Sequence, residues 1–228
     1  MPTNNPQKFA VIDIEATCVR GDRNAQQRFK KETIELPVVV ITRSADGRRW
    51  LRGEDGSLET LEFRTFVRPV RNPVLSEFCT ELTGIEQRQV DDAPTFSDAM
   101  ASLDRWLADN DVTPENALFV SCGDFDLKHL RGESIATGTT LGRMFDRFCN
   151  VKIPFALAGE PAPRASPPRF DMAEMLEALG LELVGRHHSG IDDARNIARI
   201  AGALGEDAPD ALYATGGFDA AGSFIRLV

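Results

Sequence analysis

KFAVIDIEAT, residues 8–17, is the stretch on which the reading of this chain turns. Strand periodicity puts Phe9, Val11, Asp13 and Glu15 on one face and Ala10, Ile12 and Ile14 on the other. Apolar residues on both faces describe a mostly buried strand, and it ends in two acids that point the same way. A second β-branched run, ELPVVVITR (35–43), reads as its neighbour. After a turn-rich stretch, SADGRRWLRGEDGS, the segment LETLEFRTFVRP supplies a third strand that closes a hairpin with the second.

Farther out, helix and strand signals interleave. Pro94 and Thr95 open a helix with Met100, Leu103, Trp106 and Leu107 on one face. ENALFVSC reads as a strand that leads into a helix at GDFDLKHL, and LGRMFDRFCN reads as helical. IPFALAGEPAPRASPPRF (153–170) has too much Pro and Ala to be anything but loop, and the length of 154–169 makes it a candidate lid. Asp171 with Glu174 has the spacing of a capping box, with Gly180 as the stop of that helix; Ser189 with Asp192 has the same spacing before IDDARNIARI. There is no internal repeat. The fold class is α/β, a mixed sheet flanked by helices.

Composition narrows the class. At 228 residues and 42% hydrophobic content the chain can bury one sizeable core. No run approaches the roughly 18 apolar residues of a membrane span, and MPTNNPQKF lacks the order of a signal peptide. Cys18, Cys79, Cys122 and Cys149 have neither zinc-site nor secreted-framework spacing, so they read as reduced thiols, and the expected location is cytoplasmic with no membrane partner. A net charge of −9 argues against a broad basic surface for wrapping duplex nucleic acid. It leaves room for an enzyme that grips a few terminal nucleotides and whose excess negative charge is offset by bound cations.

The acids beside apolar segments carry the chemistry. Asp13 and Glu15, at i and i+2 on a strand, can bracket a cation. Asp126 opens a helix after a strand, where the helix N-terminus favours a carboxylate; Asp124, two residues earlier, competes for that role. His188 lies just before Ser189, outside the following helix, and Asp193 lies in its first turn, so the chain can turn back and bring both to one place. His187 and Asp192 are their competitors. Each signal alone has an ordinary structural reading; four carboxylates and an imidazole together are the equipment for metal-dependent phosphodiester hydrolysis.

VIDIEATC, GDFDL and HSGIDDARNIARI, in that order, resemble the DEDDh branch of 3′→5′ exonucleases, which share the ribonuclease H-like fold. The subgroup resembled most is that of the histone-mRNA and enhanced-RNA-interference exonucleases. That resemblance rests on EATC, on residues 75–96 (LSEFCTELTGIEQRQVDDAPTF) and on residues 185–200 (GRHHSGIDDARNIARI). It implies a five-stranded mixed sheet, an exonuclease domain over residues 8–204, and a C-terminal extension at 205–228 packed on the same domain. It also implies metal ligands Asp13, Glu15, Asp126 and Asp193, with two Mg²⁺ or Mn²⁺ ions. His188 would be the general base, and Phe78, Phe125, Ala16 and Thr17 would contact the terminal nucleotide of a single-stranded 3′ end, RNA preferred to DNA. Phe125 stands where relatives often carry Trp, and a Phe beside Leu or Cys is also an ordinary core residue.

Basic residues near these motifs, Arg20, Arg23, Arg28, Lys30 and Lys31, and Arg164 and Arg169 in the Pro-rich loop, are candidates for contacts to the nucleic-acid backbone, although solvated loop charge is their ordinary reading. Two other functional readings stand beside the exoribonuclease: a DNA-directed exonuclease, and a non-catalytic regulator that binds nucleic acid or protein on the same fold. A nucleotide-binding switch or transferase has no support, since the sequence contains no GxxxxGK or GxGxxG loop. Oligomeric state is not readable from the sequence.

Overall fold

The computed structural model describes residues 6–21, 28–158, 170–206, 208 and 210–228. Arg23, Arg164, Arg169 and most of the Pro-rich loop fall outside these residues. Strand β1 (Lys8–Ile12) pairs antiparallel with the fully extended β3 (Thr33–Thr42), and Ile12 stands opposite Val38. The two-residue strand β2 (Glu15–Ala16) continues along the same edge, with Glu15 opposite Glu35. The interruption at Asp13–Ile14 falls opposite Pro37, which has no N–H to give to a ladder. The single strand expected over 8–17 is therefore two, and the break releases the backbone beside the first acid.

The other edge of β3 pairs with β4 (Thr60–Phe66) as the hairpin reading required. On the far side, β1 pairs in parallel with β5 (Ala117–Ser121), and β5 with β6 (Arg147–Asn150). The order β4-β3-β1-β5-β6 is the expected five-stranded mixed sheet, and the observed sheet is wider. Strands β7 (Gly216–Phe218) and β8 (Phe224–Arg226) extend it beyond β6, both antiparallel to their neighbours.

Strand β6 corrects the sequence reading of LGRMFDRFCN as a helix: Arg143–Asp146 is a single 3-10 turn, and Arg147–Asn150 is a strand between β5 and β7. Phe148 and Cys149 are both fully buried, because the strand is covered on both faces and so shows no polar alternation. The stretch expected to be loop from Pro154 begins as a helix, Lys152–Ala158, with Pro154 in its first turn, where a missing N–H costs little.

Helices cover the two faces. Phe96–Asp109 and Phe125–Thr137 lie over Ala10, Ile12, Val38, Val40 and Phe119. Met172–Ala178 and Gly190–Glu206 lie over Phe9, Val11, Val39, Ile41 and Val120. The Asp171–Glu174 capping box forms; the one expected at Ser189–Asp192 is replaced, because Asp192 accepts instead from the Arg186 N–H at 3.1 Å. Glu77–Thr83 and Gln87–Asp91 are helices to which the sequence reading gave no structure. Among the described residues the helices are, in chain order, α1 (Glu77–Thr83), α2 (Gln87–Asp91), α3 (Phe96–Asp109), α4 (Phe125–Thr137), α5 (Lys152–Ala158), α6 (Met172–Ala178) and α7 (Gly190–Glu206). Among the described residues no helix is long and apolar enough to cross a membrane.

Candidate active site

The break between β1 and β2 builds the centre. Freed from the ladder, the Ile14 N–H donates to Asp126 Oδ1 at 3.1 Å, which ties the first turn of α4 to the end of β1. From the opposite side α7 arrives end-on. A Cβ on Gly190 would lie 2.7 Å from the Asp13 carbonyl oxygen and 3.1 Å from Pro37, so only glycine lets the helix start so close to the strand. Carboxylate oxygens of Asp13, Glu15 and Asp193 consequently lie within 4.8 Å of one another.

His188 does lie outside α7, in the left-handed region at φ 64°. The turn directs its own N–H onto Asp193 Oδ2 at 2.8 Å and sets its ring within 4.8 Å of that carboxylate. His187 stacks on it with 4.1 Å between ring centroids, and both rings are exposed. Arg186 fastens this loop to the rest of the site by donating to the carbonyls of Glu81 and Leu82 at the C-terminal end of α1, where a cation is favoured.

Of the competitors from the sequence, His187 stays beside His188, with a ring nitrogen within 4.8 Å of the Asp193 carboxylate, while the two acids face elsewhere. Asp124 accepts from Asn150 at 2.9 Å and pairs with Arg226 on β8, so it holds the C-terminal strands to the domain. Asp192 pairs with Arg195 at 3.0 Å. Sequence reasoning missed Glu35. Its side chain is fully buried between Arg64, at 2.7 Å, and the Gly190 N–H, at 3.2 Å. A single acid inside the β-branched run ELPVVV, at the same strand spacing from the core as its neighbours, was the available signal.

The cluster is electrostatically uncomfortable. Burial first, then Asp126, Asp193, Glu15 and Glu35, push the Asp13 carboxyl well above its ordinary range. Burial and Glu35 raise Glu15 to about 9, and burial raises Asp126 and Asp193 to about 6. Asp193 Oδ1 is buried and has no hydrogen-bond partner among the described residues. Closely spaced hard oxygens with like-charge repulsion and an orphaned acceptor fit a small divalent cation. By contrast the partial desolvation of His188 on its inner side, with His187 and Arg186 beside it, holds its pKa below the ordinary value, so it stays neutral near pH 7.

The residues expected at the terminal nucleotide lie on β2 and just after it, on α1 and at the start of α4. Phe125 is 50% exposed, stacks on His129 at 5.4 Å and carries the Lys31 ammonium 5.1 Å above its ring. Phe78 is partly buried under Arg20 and lines a 170 Å³ cavity with Cys18 and Leu82. Helix α1, which carries Phe78, is pinned to the first motif: Ser76 caps the helix by accepting from Cys79 N–H and donates its own hydroxyl to the Cys18 carbonyl at 2.6 Å. Ala16 is partly exposed. Thr17 is only 2% exposed and its hydroxyl accepts from the Glu32 N–H at 2.9 Å, so it sits behind the surface.

A family model described as Exonuclease (RNase T) matches residues 10–201. Human ERI1 exoribonuclease 3 is 34% identical over 202 residues, covering 87% of this chain and 54% of that protein. Human 3′-5′ exoribonuclease 1 is 32% identical over 195 residues, covering 85% and 51%. The chain thus spans about half the length of the curated relatives it matches. A solved nuclease domain of 3′hExo, a DEDDh family member bound to rAMP, is similar with a TM-score of 0.77 at 28% identity, covering 93% of this chain and 98% of that one. A 3′-exonuclease structure described for 3′-end specific recognition of histone mRNA stem-loop is similar with a TM-score of 0.82 at 27% identity, covering 99% of this chain and 72% of that one.

Proposed function

We propose, from the premise that this chain belongs to the RNase T exonuclease family, that it is a metal-dependent 3′→5′ exonuclease. It removes nucleoside 5′-monophosphates from single-stranded 3′ ends, RNA in preference to DNA. The observation that carries the reading is the convergence of Asp13, Glu15 and Asp193 within 4.8 Å, with the buried Asp193 Oδ1 left without a partner.

Asp13, Glu15 and Asp193 would hold the cations, and Asp126, anchored by Ile14 N–H, would complete the set from α4. When bound, two Mg²⁺ or Mn²⁺ ions supply a lowered pKa for water and offset charge on the phosphate oxygens. His188, neutral at working pH and exposed at the edge of the cluster, takes the proton from the attacking water. Asp193, by accepting the His188 N–H, fixes the turn that aims the ring. Phe125 and Phe78 stack on the terminal base, Ala16 lines the space between them and the acids, and Thr17 braces that strand from behind. The preference for RNA rests on the relatives, which are named exoribonucleases, and on the likeness to a nuclease domain bound to rAMP.

Matched 5′-labelled single-stranded RNA and DNA, digested with Mg²⁺ or with EDTA, test this. The expected result is a metal-dependent ladder shortening from the 3′ end, faster on RNA. Intact label in every lane, with folded protein, would instead support a binding role without catalysis.

A further inference from the structure

Beyond Phe125 the surface changes sign. A groove of 480 Å³, lined by none of the four acids, is floored by one face of α4 and walled by residues 29–32 and Arg71. Lys30, Lys31, Arg71 and Lys128 line it, in a chain whose net charge is −9. The two acids that also line it are already spent. Glu32 accepts from the N–H groups of Val70, Arg71 and Asn72, and Glu133 accepts from the N–H and hydroxyl of Thr33. Of the four cations only Lys128 reaches a carboxylate among the described residues, Asp124 at 4.0 Å. The groove is continuous with the terminal-base site at two points. Lys31 caps the Phe125 ring, and Phe29 and Lys31 line both this groove and the 170 Å³ cavity beside Phe78.

Resting on the exonuclease reading, we infer that the groove is the track for the strand's phosphates on the 5′ side of the terminal nucleotide, with Lys30 and Arg71 as its principal phosphate contacts. The strand leaves the acids over Phe125, which is backed by its stacked partner His129, itself mostly buried and 3.2 Å from Glu133. The channel is open because α4 is thin there. A Cβ on Gly132 would meet nothing within 4 Å, and the next turn on that face presents the small residues Ala136 and Thr137. Single-strand tracking by a cationic groove next to a stacking platform needs no base readout, and its energy is salt-dependent.

The test uses three proteins and two substrates. Wild type, Lys30→Ala/Arg71→Ala and Gly132→Glu are assayed on a diribonucleotide and on a 12-residue single-stranded RNA, across a salt series. Gly132→Glu adds a better helix former into empty space, so its thermal midpoint should hold or rise. All three should cleave the diribonucleotide at the same rate. On the longer RNA, the double variant should lower the salt slope by roughly 1.4, about 0.7 per phosphate contact, so that wild type loses about seven-fold more affinity than the variant between 50 and 200 mM salt. Gly132→Glu should raise KM for the longer RNA and leave kcat unchanged. Unchanged KM and slope in both variants, with wild-type cleavage of both substrates, would overturn the groove assignment alone. Failure of wild type to cleave either substrate would overturn the exonuclease reading itself.

Discussion

The protein treats two sets of buried or half-buried carboxylates differently. Glu32 and Glu133 have their oxygens filled by backbone N–H groups and a hydroxyl, and they hold β3 to the 70–72 loop and to α4. Asp13, Glu15 and Asp193 face one another, and Asp193 Oδ1 faces no donor. A buried acid with donors is structure; a buried acid without them repels its neighbours until a cation arrives. The same residue type therefore supports the fold in one set and costs it stability in the other.

The sharpest way to break this contrast is to neutralise one acid of each kind. Asp13→Asn should reduce RNA hydrolysis by about 10³-fold or more, the equivalent of several kcal/mol of lost charge stabilisation, and should raise the melting temperature of the metal-free protein. Glu32→Gln should do the reverse, lowering the melting temperature through loss of charge-assisted hydrogen bonds worth about 1.5–3 kcal/mol, with kcat on a diribonucleotide retained. A fall in melting temperature for both variants would erase the distinction.

His188→Ala should lower kcat by about 10²–10⁴-fold while His187→Ala changes it little, since only His188 is set by the Asp193 turn. Because partial desolvation holds the His188 pKa below its ordinary value, kcat should stay level down to about pH 6.5 and fall only below it, as the base becomes protonated. Equal losses from the two histidines in steady-state kinetics would reassign the base.

Gly190→Ala drives a methyl group against the Asp13 carbonyl at 2.7 Å. It should destabilise the protein by about 1–3 kcal/mol and move α7 enough to reduce kcat, read by thermal melts and kinetics on the same sample.

Much of this was written in short-range pattern, and some was not. Asp13 and Glu15 could be placed on one face because strand period is 2, and Asp193 and His188 could be brought together because the cap position put His188 outside the helix. The break opposite Pro37 was hidden, since its cause lies on the partner strand. RFCN gave no strand signal because both its faces are covered. Glu35 was masked by a β-branched run, and the basic groove draws on residues 29–32, 71 and 128–137, which nothing in linear order associates.

The smallest effects sharpen the contrast by pH. Raised carboxyl pKa values mean that the folded, metal-free protein binds protons more tightly than the unfolded chain. The stability from these groups is present at about pH 4 and is lost as pH rises through about 6 for Asp126 and Asp193 and about 9 for Glu15. The increase in melting temperature on adding Mg²⁺ should therefore widen as pH rises, and an increase that is constant with pH would count against the cluster as the binding site. Phe78→Ala should weaken single-strand binding by about 1–3 kcal/mol in a fluorescence titration.

Calorimetric titration of Mn²⁺ into the metal-free protein and into Asp13→Asn tests the central claim most directly. Two ions should bind per chain in the wild type, and at least one should be lost in the variant. Absence of binding, or an identical isotherm for both proteins, would contradict it.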